Sequence, residues 1–334
     1  MKLVIGQNEY LFEIIIIFIK LEIDTFLTKI CFFSILDLCE VAILREVYPN
    51  YYYKFSCIAD KCRHSCCVGW EIDIDEDTLE LYDTLNTPLG EKIRNNIEGK
   101  VPHFKLTKEE RCPFLNENGL CDIILEYGDG AISDICYLHP RFTNFYSSFE
   151  ETGIGLCCEE AARVVLLEKE KFSIELPDDV SLTNKEKEFF PKRKKILDIL
   201  QDRSKSIKER FDTFGKFNFN LNNLCQMYLS LERLDVAWTE EINKIKDYNF
   251  KGEIFKREPI FFEQLAVYFA FRHLNPDLSE AETNARIKFA IMSCYFIGAM
   301  CEKSGYDFEK MTDIARMYSS EIEYSDENLD LLYN

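Results

Sequence analysis

Histidine is scarce, glycine and proline are sparse, and no long apolar run exists. The 334 residues hold 4 His, 13 Gly and 9 Pro. Walker A, the dinucleotide-binding glycine pattern and the GxSxG nucleophile elbow are all missing, which removes the usual nucleotide-cradling loops and that hydrolase elbow. Gly128-Asp129-Gly130 is a turn signal only. No uninterrupted apolar stretch approaches the roughly 20 residues needed to span a bilayer, so membrane contact is not expected. Cationic charge is short as well: 40 Lys and Arg face 59 Asp and Glu, a net charge of −19. Tracking a phosphate backbone needs clustered cations, so no nucleic-acid partner is expected. The short basic run Lys192-Arg193-Lys194-Lys195 reads as the solvated face of a helix. Repeats and low-complexity tracts are absent, and the length suits two domains.

Cysteine is the exception. The chain has 14, and nine of them fall between Cys57 and Cys158. Their order is Cys57-x4-Cys62-x3-Cys66-Cys67, then Cys112-Pro-Phe-Leu, Gly119-Leu-Cys121, Cys136-x-x-His139-Pro140-Arg141 and Cys157-Cys158-Glu159-Glu160. A disulfide framework is the rival reading. Against it, Met1-Lys2 leads only into the short apolar run Ile14–Ile19, bounded by Glu13 and Lys20, with no small-residue cleavage site. A cytoplasmic location is therefore expected, and there a cysteine cluster reads as metal-binding or catalytic.

Thiolate is a soft ligand suited to zinc, copper(I) and iron–sulfur clusters. Zinc takes four N or S ligands in a tetrahedron. Nine cysteines exceed one such site, so a cluster or two metal sites both stay open. Neighbours on an extended chain point opposite ways, so each Cys-Cys pair can give one ligand to a metal and one elsewhere. The ligand candidates are Cys57, Cys62, Cys66, Cys67, Cys112, Cys121, Cys136 and Cys157. His64 and His139 are additional candidates, whereas His103 and His273 have no ligand spacing around them. Asp73-x-Asp75-x-Asp77 is not a calcium loop, because Thr78 and Thr84 stand where Gly and Glu are required. Cys225, Cys294 and Cys301 lie on apolar helical faces and read as core.

The expected fold is mainly α: an irregular cysteine-rich domain with short strands at 47–176, then an α-helical domain at 177–334. An apolar extension at 1–46 precedes them. It reads as a packed helix or as translation from a start codon set too far upstream. Val47 to Phe55 looks extended, and Trp70 to Ile74 alternates like a half-buried strand. Asp75 or Asp77 is placed to cap a helix through Leu79, Leu81, Tyr82 and Leu85. Ser133 is placed to cap a short helix ending at His139-Pro140. Thr183 with Glu186 forms a capping box for a long helix carrying Ile196, Leu197, Leu200, Ile207 and Phe211. Helices are expected near 221–235, 238–247 and 260–274. A second box, Ser279 with Glu282, opens one to about Glu302, and a last runs from Asp307 through Met317.

The segment from Tyr52 to Asp75 resembles the opening of bacterial flagellin lysine N-methylases. Arg111-Cys112-Pro-Phe-Leu, Asp134-Ile-Cys136-Tyr-Leu-His-Pro-Arg141 and Gly155-Leu-Cys-Cys-Glu-Glu160 continue the likeness in order. It also resembles a wider group of cysteine-rich zinc- or iron-chelating domains. The likeness covers about 47–165, with the helical remainder similar only in style. It implies a protein-lysine N-methyltransferase that uses S-adenosylmethionine, acts on flagellin and carries an iron–sulfur cluster, of the [4Fe–4S] type, or zinc. The radical Cys-x3-Cys-x2-Cys signature is absent, since Cys67 directly follows Cys66. Asp73 and Glu159 are the acids expected to handle the substrate amine, and Arg141 the residue expected to hold an anionic cofactor group. A non-enzymatic zinc- or iron-binding module and an iron–sulfur electron carrier are the alternatives.

Overall fold

A computed structural model describes residues 45–217 and 219–333. The apolar extension expected at 1–46 lies outside them except for its last two residues. Among the described residues the chain forms fourteen α-helices and five short strands and is mainly helical, as expected. None of these helices is long and apolar enough to cross a membrane.

Strand β1 (Arg45–Val47) leads into a turn rather than the extended segment expected through Phe55. Tyr52 N–H donates to Pro49 O at 2.9 Å, and a 3-10 turn covers Tyr52–Lys54. Proline with Asn50 favours that turn locally. From Trp70 to Ile74 the burial does alternate, with Ile72 and Ile74 inward. Pairing there is confined to one bridge, Asp73 to His103. The partner strand β3 (His103–Phe104) has only two residues and is already joined to β2 (Ile97–Glu98), so no longer ladder can form.

Asp75 caps α1 (Glu76–Thr84), accepting from Thr78 N–H at 2.9 Å. Thr87 caps α2 (Pro88–Asn95), with Pro88 in the first turn, where its missing N–H costs nothing. Then come α3 (Asp122–Tyr127) and α4 (Asp134–Leu138). Ser133 makes no capping bond; Asp75 accepts from Asp134 N–H at 2.8 Å instead. Tyr82, Ile93, Phe104, Phe114 and Ile123 pack with Ile72 and Ile74 into a small core of their own. Burial by itself would raise the Asp75 carboxyl, but bonds from Asp134 and Thr78 hold it below its ordinary value of 3.8. Its folded pKa is thus depressed, so its stabilisation is present above pH 3.8 and is lost as pH falls through the folded value. Asp75→Ala should cost about 1–2 kcal/mol at neutral pH, and acid titration of both proteins followed by circular dichroism should show the gap closing.

Strand β5 (Phe149–Ile154) runs antiparallel to β4 (Arg141–Phe145) and parallel to β1, in the order β1-β5-β4. Helix α5 (Glu159–Leu166) follows, and the main core reaches back across residue 177 to include it. Ile154, Leu156, Ala161 and Val165 pack in one cluster with the C-terminal helices. Helix α6 (Asn184–Leu200) has the expected Thr183–Glu186 box but stops at Leu200. Ile207 and Phe211 belong to a separate α7 (Ile207–Asp212), because Ser206 with Glu209 forms another capping box and restarts the helix. The basic run is not wholly solvated, since Arg193 is buried.

Beyond lie α8 (Leu221–Ser230), α9 (Val236–Ile245), α10 (Glu253–Arg257), α11 (Pro259–His273), α12 (Glu280–Ser304), α13 (Phe308–Ile322) and α14 (Asp326–Tyr333). Every residue of α11 from Phe261 to Phe271 is buried, as befits a helix packed on all sides. Gly153 lets it approach the sheet: a Cβ there would stand 2.4 Å from Phe142 and 2.9 Å from Phe271. Cys225, Cys294 and Cys301 are buried core residues, as expected.

Candidate metal centre

The candidate thiols do not gather at one point. Four of them, Cys67, Cys112, Cys121 and Cys136, border the small core of the cysteine-rich region. Cys112 N–H donates to Cys67 O at 2.8 Å, which fixes those two segments side by side. Cys121 immediately precedes α3 and Cys136 sits within α4. The Cys112 thiol is pushed up to about 12 and Cys136 to about 11, by burial first and with a contribution from charge on Cys67. Cys121 is raised for the same reasons, burial first. Cys67 moves the other way, since the Cys66 thiol, Ser65 and Arg111 favour its thiolate despite burial. All nine cysteines are free thiols.

The remaining thiols lie on the loop before Trp70 and at the start of α5, and Cys66 links them to the first four: its thiol bonds to Cys67 and lies near both Cys57 and Cys136. The Cys158 thiol is lifted to about 11, by burial first and with contributions from charge on Cys62 and Cys57. Cys62 is raised by burial, and Glu159 and Cys57 add to the rise. Cys157 faces the opposite way, with its Sγ 2.9 Å from the Tyr324 hydroxyl, and burial lifts it to about 12. Cys157 is the expected ligand of this pair, whereas the fold turns Cys158 toward Cys62 and Cys57. Among the described residues no three His, Cys, Asp or Glu side chains stand ready to bind one ion together. Free soft donors fit a soft metal or cluster in kind, but ligation needs the thiols to close in and lose their protons.

The other candidates are dispersed. Glu159 is engaged by Arg63: it accepts from Arg63 N–H at 3.0 Å and from Nε at 2.9 Å. Arg141 donates from Nε to the Tyr52 hydroxyl at 2.9 Å and from Nη1 to Tyr137 O at 3.1 Å. Its guanidinium also lies over the Tyr52 and Phe55 rings. Asp73 is exposed beside His103, at the edge of the small core and not with Glu159. His139 is partly buried against Trp70, and burial lowers its pKa. His64 pairs through Nε2 with Asp313 at 3.0 Å.

Sequence reading missed what α13 contributes. Asp313, held by Arg316 at 2.9 Å, meets His64, and Glu309 meets Arg63 at 3.2 Å. These bonds fasten the Cys62–His64 loop to a helix some 250 residues later in the chain, and no local signal foretells them.

Comparison with known proteins adds to this geometry. Residues 217–334 match the profile of the FliB lysine N-methylase C-terminal domain. The helical part therefore carries more than a likeness of style. A lysine-N-methylase of Salmonella typhimurium is 27% identical over 163 residues, 45% of this chain and 40% of that protein. The flagellar biosynthetic protein FliU of Salmonella muenchen is 30% identical over 130 residues, 35% of this chain and 75% of that protein. The chain thus spans about two fifths of the length of the lysine-N-methylases it matches. No solved structure matches.

Proposed function

The chain belongs to the FliB lysine N-methylase family, and from that premise we propose that it is a protein-lysine N-methyltransferase acting on flagellin with S-adenosylmethionine. The observation that carries the proposal is the family match over residues 217–334, whose helix α13 meets the thiol-bearing loop through the half-buried His64–Asp313 contact. Support for flagellin comes from the relative named as a flagellar biosynthetic protein.

We assign Cys67, Cys112, Cys121 and Cys136 as holders of an iron–sulfur cluster, with Cys57, Cys62 and Cys158 as the adjoining set. When bound, such a cluster supplies redox capacity and closes the small core. Transfer itself needs a neutral amine. A lysine of pKa about 10.4 is ammonium at neutral pH, so its proton must pass to solvent before the nitrogen lone pair attacks the methyl carbon. The C–S bond then breaks, and its electron pair stays on sulfur. A carboxylate alone would stabilise the ammonium and oppose this step, so burial or the cofactor's own positive charge must offset it. Glu159, already neutralised by Arg63, suits positioning, and exposed Asp73 suits capture of the lysine.

Flagellin incubated with the protein and S-adenosylmethionine should gain mass in steps of one methylene on its lysines, faster as pH rises below the bound lysine's pKa. Asp73→Asn should slow transfer without changing metal content. Unmodified flagellin with saturating donor and intact metal loading would overturn the methyltransferase reading in favour of a metal module.

A further inference from the structure

Two hydroxyls lie buried beside the thiols of the small core. Tyr82 of α1 is fully buried, with its ring stacked on Phe104. Its hydroxyl has no hydrogen-bond partner among the described residues. Ser133 is fully buried too, and its side chain caps no helix. Its hydroxyl has no oxygen or nitrogen partner among those residues and faces the Cys136 thiol. A buried hydroxyl left unpaired costs about 1–3 kcal/mol. Phenylalanine would give position 82 the same ring packing without that cost, so the oxygen calls for an acceptor.

The surroundings of Tyr82 narrow the choice. The ionisable groups whose charge reaches its hydroxyl are Cys136, Cys121, Asp75 and Cys112. Asp75 is already committed: its carboxylate accepts from the Thr78 N–H and hydroxyl, both at 2.9 Å, and from Asp134 N–H at 2.8 Å. Three thiols remain, all of them among the four assigned as metal ligands. A neutral thiol is a weak acceptor, whereas a ligating sulfur carries negative charge and accepts strongly. Thiolates gathered in a buried core also repel one another, and donated hydrogen bonds offset part of that repulsion.

We propose that Tyr82 and Ser133 are positioning residues of the metal centre, which donate O–H bonds to its sulfurs: Ser133 to Cys136, and Tyr82 to one of Cys136, Cys121 and Cys112. Their role rests on the ligand assignment above, and the controls keep the two apart. Full-length protein and its Tyr82→Phe and Ser133→Ala variants, purified anaerobically, are compared by elemental analysis, by the rate at which EDTA strips the metal and by melting temperature. Each variant should retain metal but lose it roughly tenfold faster, as expected when an outer donor to a metal ligand is removed. Tyr82→Phe should also melt below the wild type while metal is bound. A hydroxyl without an acceptor predicts the opposite sign, since its removal would then be neutral or stabilising. An unchanged release rate in either variant would overturn that residue as a donor, as would a raised melting temperature for Tyr82→Phe, and the ligand assignment would stand. Wild-type protein that carries no metal would overturn the assignment and remove the acceptor with it.

Discussion

Single Cys→Ser changes at Cys67, Cys112, Cys121 and Cys136 are expected to abolish metal loading and, with it, the order of the small core around Phe114. The core of residues 72–136 is thin: Ile72, Ile74, Tyr82, Ile93, Phe104, Phe114 and Ile123 form most of it, joined by short helices and two-residue strands. Elements that short gain much from a further constraint, and under the proposed assignment thiolate–metal bonds would provide one. Structural zinc in small peptides contributes about 10–16 kcal/mol of folding energy, so the loss of a ligand outweighs most other single substitutions.

The two tryptophans report the two regions separately. Trp70 lies beside His139, with its indole N–H on Cys66 O, whereas Trp238 is buried among Tyr228, Phe296 and Tyr318. Metal removal by a chelator should alter Trp70 fluorescence and open 56–136 to proteolysis while Trp238 stays shielded. Cys157→Ser should keep its metal, since that thiol faces Tyr324. Full metal content in all four variants, by elemental analysis after anaerobic purification, would sink the ligand assignment. Stoichiometric zinc without iron would replace the cluster by a zinc site.

The second large effect is expected at Glu151 and Arg193. Both side chains are buried, at 0% and 4% exposure, so neither charge is stabilised by water. The guanidinium grips the carboxylate with both arms, at 2.5 and 2.6 Å, and the Tyr146 hydroxyl donates to the same carboxylate at 3.1 Å. Phe189, Phe190 and Phe271 pack around the guanidinium. Glu151→Gln strands a buried cation and should cost about 3–5 kcal/mol, and Arg193→Met should cost a similar amount by stranding the carboxylate. The melting temperature should then fall by on the order of 10 °C. Glu151→Leu combined with Arg193→Met should recover most of the loss, because an apolar pair of similar volume carries no desolvation penalty. Calorimetric melting of Glu151→Leu, Arg193→Met and the double that combines them closes the cycle; additive losses would show that the pair is not coupled.

Arg193 also shows where reading the sequence stops. Within Lys192-Arg193-Lys194-Lys195 nothing distinguishes it from its neighbours, and the run reads as a solvated face. Its burial is set by the sheet that places Glu151 beneath α6. The same holds for Cys157 and Cys158: adjacency implies opposite orientations, but which thiol turns toward Cys62 depends on how α5 seats against Tyr324 and the C-terminal helices. Trp70 to Ile74 kept its alternation and lost its strand, because a strand needs a partner that two-residue β3 cannot be.

The sequence by itself determined the helical class, the two capping boxes at Thr183 and Ser279, a cap at Asp75 or Asp77, the core role of Cys225, Cys294 and Cys301, and the family. Each is written within a few residues, as a capping pair, a helical period or a cysteine spacing, and local physics suffices to decode it. Tertiary structure alone decided the turning of Cys158 rather than Cys157 toward Cys62, the locking of Glu159 by Arg63 and the α13 contacts to the thiol loop. Those depend on residues tens to hundreds of positions apart whose meeting is fixed by packing, and their pairing leaves no trace in either segment read alone.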